Sequence, residues 1–170
     1  MKKFLSVVFV LTILTITIFR PYFFKNLVPF PANLLVSLYE PWKSYPHPDY
    51  PNGAPNKPMG FDNLRIYYPL RNLTTELLKK REFPLWNPYS FSGTFLHATL
   101  QTAIFHPLSI LFFILPHIDA HSIIVILQPI LSGLFMFLFL NILKLRFSSA
   151  LFGSLTYAFA GFMVVWWEEA

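Results

Sequence analysis

The sequence predicts an all-α membrane protein: about three transmembrane helices and one large extracytoplasmic loop with juxtamembrane and amphipathic helices. Composition is the first observation behind this. Of 170 residues, 55% are hydrophobic and only 12% are charged, with mean hydropathy +0.51. A soluble fold of this size could not cover that much apolar surface with so few charges. The second observation is clustering, because the apolar residues run together at 4–19, 122–143 and 148–167. The third is charge placement. The net charge of +5 and a pI near 9.5 come from basic residues scattered singly among the apolar segments. That pattern fits membrane topology and anionic lipid, not nucleic acid. The 20 Phe exclude a disordered chain, and the absence of Cys excludes disulfides, thiolate metal sites and a Cys nucleophile.

Residues 1–24 read as an N-terminal anchor. The apolar run 4–19 lies between Lys2-Lys3 and Arg20. It is short against the roughly 20 residues of a straight span, but Arg20 can snorkel, and Tyr22, Phe23 and Phe24 carry the apolar character into the interface. No A-x-A pattern follows, so an uncleaved anchor is favoured over a signal peptide, with the Lys pair cytoplasmic.

Residues 25–121 form the loop. Within 41–58 there are six prolines and Asn52-Gly53, which predict an extended or turning chain. A helix is predicted over 62–82, kinked or broken near Pro69. Leu70, Leu73, Leu77 and Leu78 make its apolar stripe, and Lys79, Lys80 and Arg81 crowd the negative end of its dipole. Such a helix could lie flat on the bilayer, leucines down. The apolar stretch 104–115 rises only about 18 Å as a helix, well short of a hydrocarbon core. Placing it in the interface also returns Lys144-Leu145-Arg146 to the cytoplasm beside Lys2-Lys3.

Residues 122–170 hold the other two spans. Ala150, Ser154, Ala158 and Phe162 recur at steps of four, so three small residues offer a close-packing stripe. Trp166-Trp167 suits an interfacial belt. Neither span carries an ionisable residue in its core, which disfavours a transporter.

Soluble nucleotide, zinc-protease and serine-hydrolase motifs are absent from the sequence. Several runs carry a resemblance instead: Asp62-Asn-Leu-Arg65, Tyr68-Pro69, Lys79-Lys-Arg-Glu-Phe-Pro-Leu-Trp-Asn-Pro88, Phe91-Ser-Gly93, Gln101 to Pro107, and Leu155-Thr-Tyr-Ala-Phe-Ala-Gly161. Together they are similar to the first outer loop of bacterial YfhO-type membrane proteins of the glycosyltransferase C superfamily. Lipid A aminoarabinose transferases share a looser version. The resemblance runs from roughly Pro31 to Gly161, and its most specific piece is Pro84-Leu-Trp-Asn-Pro88 with Phe91-Ser-Gly93.

The resemblance implies transfer of a sugar from a polyprenyl-phosphate donor to a cell-envelope glycan or lipid acceptor. By it, Asp62 is the catalytic carboxylate, acting as general base on the acceptor hydroxyl. Asp62 also suits the N-cap of a helix starting at Asn63. Arg65, one turn on, would hold that carboxylate ionised or contact phosphate; otherwise it is an exposed helix cation. Lys79, Lys80, Arg81 and His106 are candidate phosphate contacts, and Trp86 is an interfacial anchor or a sugar platform. Asn33 stands where many such proteins carry an Asp, and Glu40 is spaced differently. A paired-carboxylate metal site is therefore not supported, and divalent-metal dependence stays open.

Such enzymes have many spans, so the chain reads as the N-terminal module of a larger protein and is expected to be inactive alone. The alternative is a non-catalytic membrane accessory or scaffold, or an inactive fragment.

Overall fold

In a computed structural model, residues 2–46, 48 and 62–166 are described. They are mostly helical and divide into two units, one of residues up to Pro29 together with those from Ile118, the other from Phe30 to His117.

In the first unit α1 (Lys2–Ile18) is followed by a short α2 (Arg20–Lys25). The 17 residues of α1 rise about 26 Å, and the expected aromatic extension becomes α2, with Pro21 in its first turn. Helix α6 (His117–Ile142) starts five residues before the predicted run and carries Asp119 in its first turn, where the helix dipole favours an acid. Among the described residues, two stretches are long and apolar enough to cross a membrane, His117–Ile142 and Phe147–Val165. The second is not one continuous helix. Its ladder is interrupted at Phe159 and Ala160, dividing α7 (Phe147–Ala158) from α8 (Gly161–Trp166). The break falls beside Gly161, the residue type that weakens a helix interior most after proline.

Small residues decide how these helices close. Val7 and Leu11 on α1, Phe137 on α6, and Ala150 and Ala158 on α7 form the buried core. A side chain at Gly133 would stand 2.7 Å from Leu11 Cδ2 and 3.2 Å from Ala158 Cβ, so α1, α6 and α7 meet on its bare backbone. Ser154 Oγ donates to the Gly133 carbonyl at 2.7 Å, which ties α7 to α6 where no water would satisfy either group. Of the predicted stripe, Ala150, Ser154 and Ala158 are fully buried, whereas Phe162 lies beyond the break and is exposed. Pro129 is also buried within α6. Of the predicted interfacial belt, Trp167 lies outside the described residues.

The second unit begins with α3 (Leu34–Leu38), a cis Glu40–Pro41 bond and a 3₁₀ turn at Trp42–Ser44. Most of the Pro-rich stretch lies outside the described residues. The predicted kink at Pro69 takes a definite form. Asn63–Tyr67 is a π-helical turn, Tyr68 N–H donates back five residues to Asn63, and the chain continues as α4 (Tyr68–Lys79). The wider turn absorbs the hydrogen bond that proline cannot make. The helix stops at Lys79, three residues before the expected end. Arg81 adopts a left-handed φ of 64°, with Arg81 N–H donating to Leu78 O and Glu82 N–H to Leu77 O. This is a Schellman cap with an arginine where glycine is usual. Lys144 closes α6 in the same way, at φ 60°, with Leu145 N–H reaching Leu140 O.

The face of α4 that packs inside the protein is not the leucine stripe. Leu70, Leu73, Leu77 and Leu78 are only half-buried, and Arg71, Thr74 and Thr75 sit deepest. The helix packs against α5 (Leu111–Ile114), and Arg71 lies over the rings of Tyr67 and Phe112, with its central carbon 5.6 and 5.7 Å from their centroids. Aromatic faces compensate a guanidinium that leucine packing could not.

Residues 104–115 form a 3₁₀ turn (Pro107–Ile110) and α5, together rising about 14 Å as a helix. A short antiparallel hairpin, unforeseen in the all-α prediction, pairs β1 (Trp86–Asn87) with β2 (Thr94–Phe95).

Candidate functional site

The predicted residues lie on the second unit, at the two ends of the π-turn/α4 helix and on the loops that follow it. Asp62 occupies the N-cap position, but its side chain makes no cap hydrogen bond and its backbone is already helical, at φ −65° and ψ −32°. A capping aspartate needs extended backbone to turn its oxygen onto the first amides. The capping role is thus not realised, and the carboxylate is exposed. Arg65 is exposed too, and its Nε donates to the Tyr39 hydroxyl, with the guanidinium 5.4 Å from the Tyr39 ring centre. Lys79, Lys80 and Arg81 are all exposed at the far end of α4.

Trp86 belongs to the hairpin, and local packing explains its neighbourhood. A Cβ at Gly93, whose φ is +107°, would sit 2.2 Å from Trp86 Cζ2, so the indole lies directly on the glycine. The ring meets Phe95 edge-on across the ladder at 5.4 Å. Asn87 is buried and holds the turn from within. Its Oδ1 accepts from Tyr89 N–H, and its Nδ2 donates to Ser90 Oγ, both at 3.0 Å. Pro84 and Leu96 are fully buried, and Leu96 N–H donates to Leu85 O. Within the run 84–88 with 91–93, the hairpin's own packing thus accounts for Pro84, Trp86, Asn87 and Gly93, whereas Leu85 and Phe91 are exposed.

His106 lines a cleft of about 210 Å³ together with His97, Leu100, Thr102, Ala103, Ile104 and Phe105. Leu100 and Ala103 reach left-handed φ values of 55° and 50° there, conformations that non-glycine residues hold only when their surroundings impose them. His97 is gripped edge-on by Phe83 and Phe105, and its Nδ1 is shielded from solvent without a hydrogen-bond partner. His106 and His97 thus line the same cleft, a proximity that no periodicity pointed to, because the intervening backbone is irregular. Asp62, Arg65 and Trp86 do not line this cleft.

A smaller cavity of about 10 Å³, the size of one water, is lined by Arg71, Thr74, Thr75, Leu78, Thr102, Ile104, Ser109, Phe112 and Phe113. Burial pushes the Arg71 guanidinium below its ordinary pKa, and Tyr67 partly offsets that. Beside it, His117 meets Tyr68 edge-on at 4.8 Å and Phe112 at 4.5 Å. Among the described residues, no three His, Asp or Glu side chains gather into a group that could hold a metal ion.

No family model, curated protein or solved structure matches this chain.

Proposed function

We propose that this chain is the N-terminal module of a polytopic membrane glycosyltransferase, moving a sugar from a polyprenyl-phosphate donor to an extracytoplasmic acceptor. In this reading the two long apolar stretches lie in the cell membrane. The unit from Phe30 to His117 works at its outer face, where a lipid-linked donor presents its sugar phosphate. Asp62 takes the proton from the acceptor hydroxyl, whose oxygen then bonds to the anomeric carbon. The bond from that carbon to the phosphate oxygen breaks, and polyprenyl phosphate leaves with the negative charge. Arg65, one turn on from Asp62, is the nearest group to meet that charge. The cations at 79–81 stand at the other end of the helix, roughly 25 Å along it, and with His106 are left to contact other phosphate groups of the lipid.

One observation carries the reading: the Asp62 carboxylate is exposed and makes no hydrogen bond to its own helix end. In the complete protein, Asp62→Asn is expected to lower sugar transfer about 10²–10⁴-fold, the usual worth of a general base. Membrane insertion should not change. Wild-type transfer by that variant would remove Asp62 from the mechanism.

A second reading, a non-catalytic membrane scaffold, is favoured by the hairpin. Several of its motif residues have packing reasons: Pro84 is buried, Trp86 lies on Gly93 and Asn87 holds the turn. That reading expects full function from Asp62→Asn and a stable complex with a larger membrane partner.

A further inference from the structure

The hairpin region shows an inversion of ordinary burial. Phe83, Leu85, Trp86, Tyr89, Phe95 and Phe105 are all exposed, and Phe91 is 100% exposed. Looseness does not explain this, because the turn is held by the buried Asn87 side chain, the Gly93–Trp86 contact and the Leu96-to-Leu85 hydrogen bond. Phe91 even takes a left-handed φ of 54° at the tip. The fold fixes these rings outward.

We propose that the aromatic hairpin and its flanks, residues 83–105, are a lipid-docking wedge whose rings enter the interface of an anionic bilayer while Lys79, Lys80 and Arg81 hold the headgroups. Two observations select lipid as the occupant. The exposed charge beside the wedge is three cations against the carboxylates of Glu82 and, one turn earlier, Glu76, a cationic balance that complements anionic headgroups. The unit carrying the hairpin is also continuous with the apolar helices at both ends, after α2 and into α6. If those helices cross a bilayer, the wedge is tethered near its surface twice. Tryptophan, tyrosine and phenylalanine are the side chains that settle where one end of a ring is dry and the other wet. The inference rests on the membrane reading above and is independent of the transferase chemistry.

The test uses the whole chain in vesicles of equal parts phosphatidylcholine and phosphatidylglycerol. With Trp42, Trp166 and Trp167 replaced by Phe, Trp86 is the sole indole. Brominated acyl chains should then quench its emission about twofold, as expected of a ring in the headgroup–acyl boundary. The quenching should shrink in Phe91→Ser and in vesicles of phosphatidylcholine alone. Because the protein has no Cys, Ser92→Cys carrying an environment-sensitive dye gives a second readout that keeps every aromatic ring. Its emission should shift to the blue on the anionic vesicles. Emission quenched by aqueous acrylamide but not by bromine overturns the wedge, and shielding from both overturns it in favour of a protein partner. Release of the chain by alkaline carbonate would overturn the membrane reading itself, and the wedge with it. Retention with a water-exposed Trp86 overturns the wedge alone.

Discussion

At Gly133 three apolar helices close on a bare stretch of backbone; at Gly93 an indole lies across a turn that only glycine enters easily. Gly133 needs space alone, since its helix conformation is open to any residue. Gly93 needs both space and a positive φ. The two surroundings differ in the same direction. Around Gly133 the interior is small and apolar, with the Ser154 hydroxyl satisfied by a carbonyl, and Phe135, Leu138, Phe139 and Ile142 of α6 point outward. In the unit that holds Gly93 the interior keeps Asn63, Arg71, Thr74, Thr75, Asn87, Thr102 and Ser109. The helical unit also buries Thr15, His121, Ser122 and Ser154 and also turns rings outward. The difference therefore lies in the contacts themselves: side-chain partners such as those of Asn87 in one unit, close helix approach at Gly133 in the other.

Substitutions can break that comparison. Gly93→Val combines left-handed strain with a direct clash on Trp86, at a cost of about 3 kcal/mol. The loss should stay local, speeding exchange of the Leu96 amide about a hundredfold while amides in α6 hardly change. Equal acceleration in α6 would mean the two units unfold together. Gly133→Val should cost about 2 kcal/mol by forcing Leu11 and Ala158 aside. It should lower the thermal midpoint in detergent without touching Leu96 exchange.

The two helix ends sharpen the comparison from the stabilising side. Arg81 and Lys144 occupy equivalent left-handed cap positions, one in each unit. Arg81→Gly and Lys144→Gly should each stabilise by about 1 kcal/mol, the cost of a side chain in that conformation. Each should raise the midpoint by about 3 °C if the chain unfolds as one body. A gain from Lys144→Gly alone would show that the helical unit sets the midpoint and that the Phe30–His117 unit melts separately.

Much of this was legible in the sequence because the signals are local. Pro69 lacks its amide wherever it sits, so the helix around it had to widen or break. Ala150, Ser154 and Ala158 share a helix face by spacing alone. The long apolar run around Gln128-Pro129 could only be a helix that satisfies its own backbone. The stop at Arg81 was less legible, because a left-handed arginine has no compositional signature, unlike glycine.

Candidate site residues could be named from the sequence, but not where the fold would place them. Asp62 was placed at a helix start correctly, yet whether its oxygen caps that helix depends on a backbone angle set by the π turn. The spacing of the leucines marked the stripe expected to face a bilayer, but not the face of α4 that packs inside the protein. Aromatic surfaces brought by Tyr67 and Phe112 made the buried position of Arg71 favourable. Periodicity and breaker residues thus determined which segments are helices, where they bend and which faces carry small residues, because each signal acts between neighbours in the chain. Tertiary structure alone decided that Arg71 goes inside, that His97 and His106 line one cleft, and that Trp86 rests on Gly93. Those contacts join residues whose mutual distance no local rule fixes.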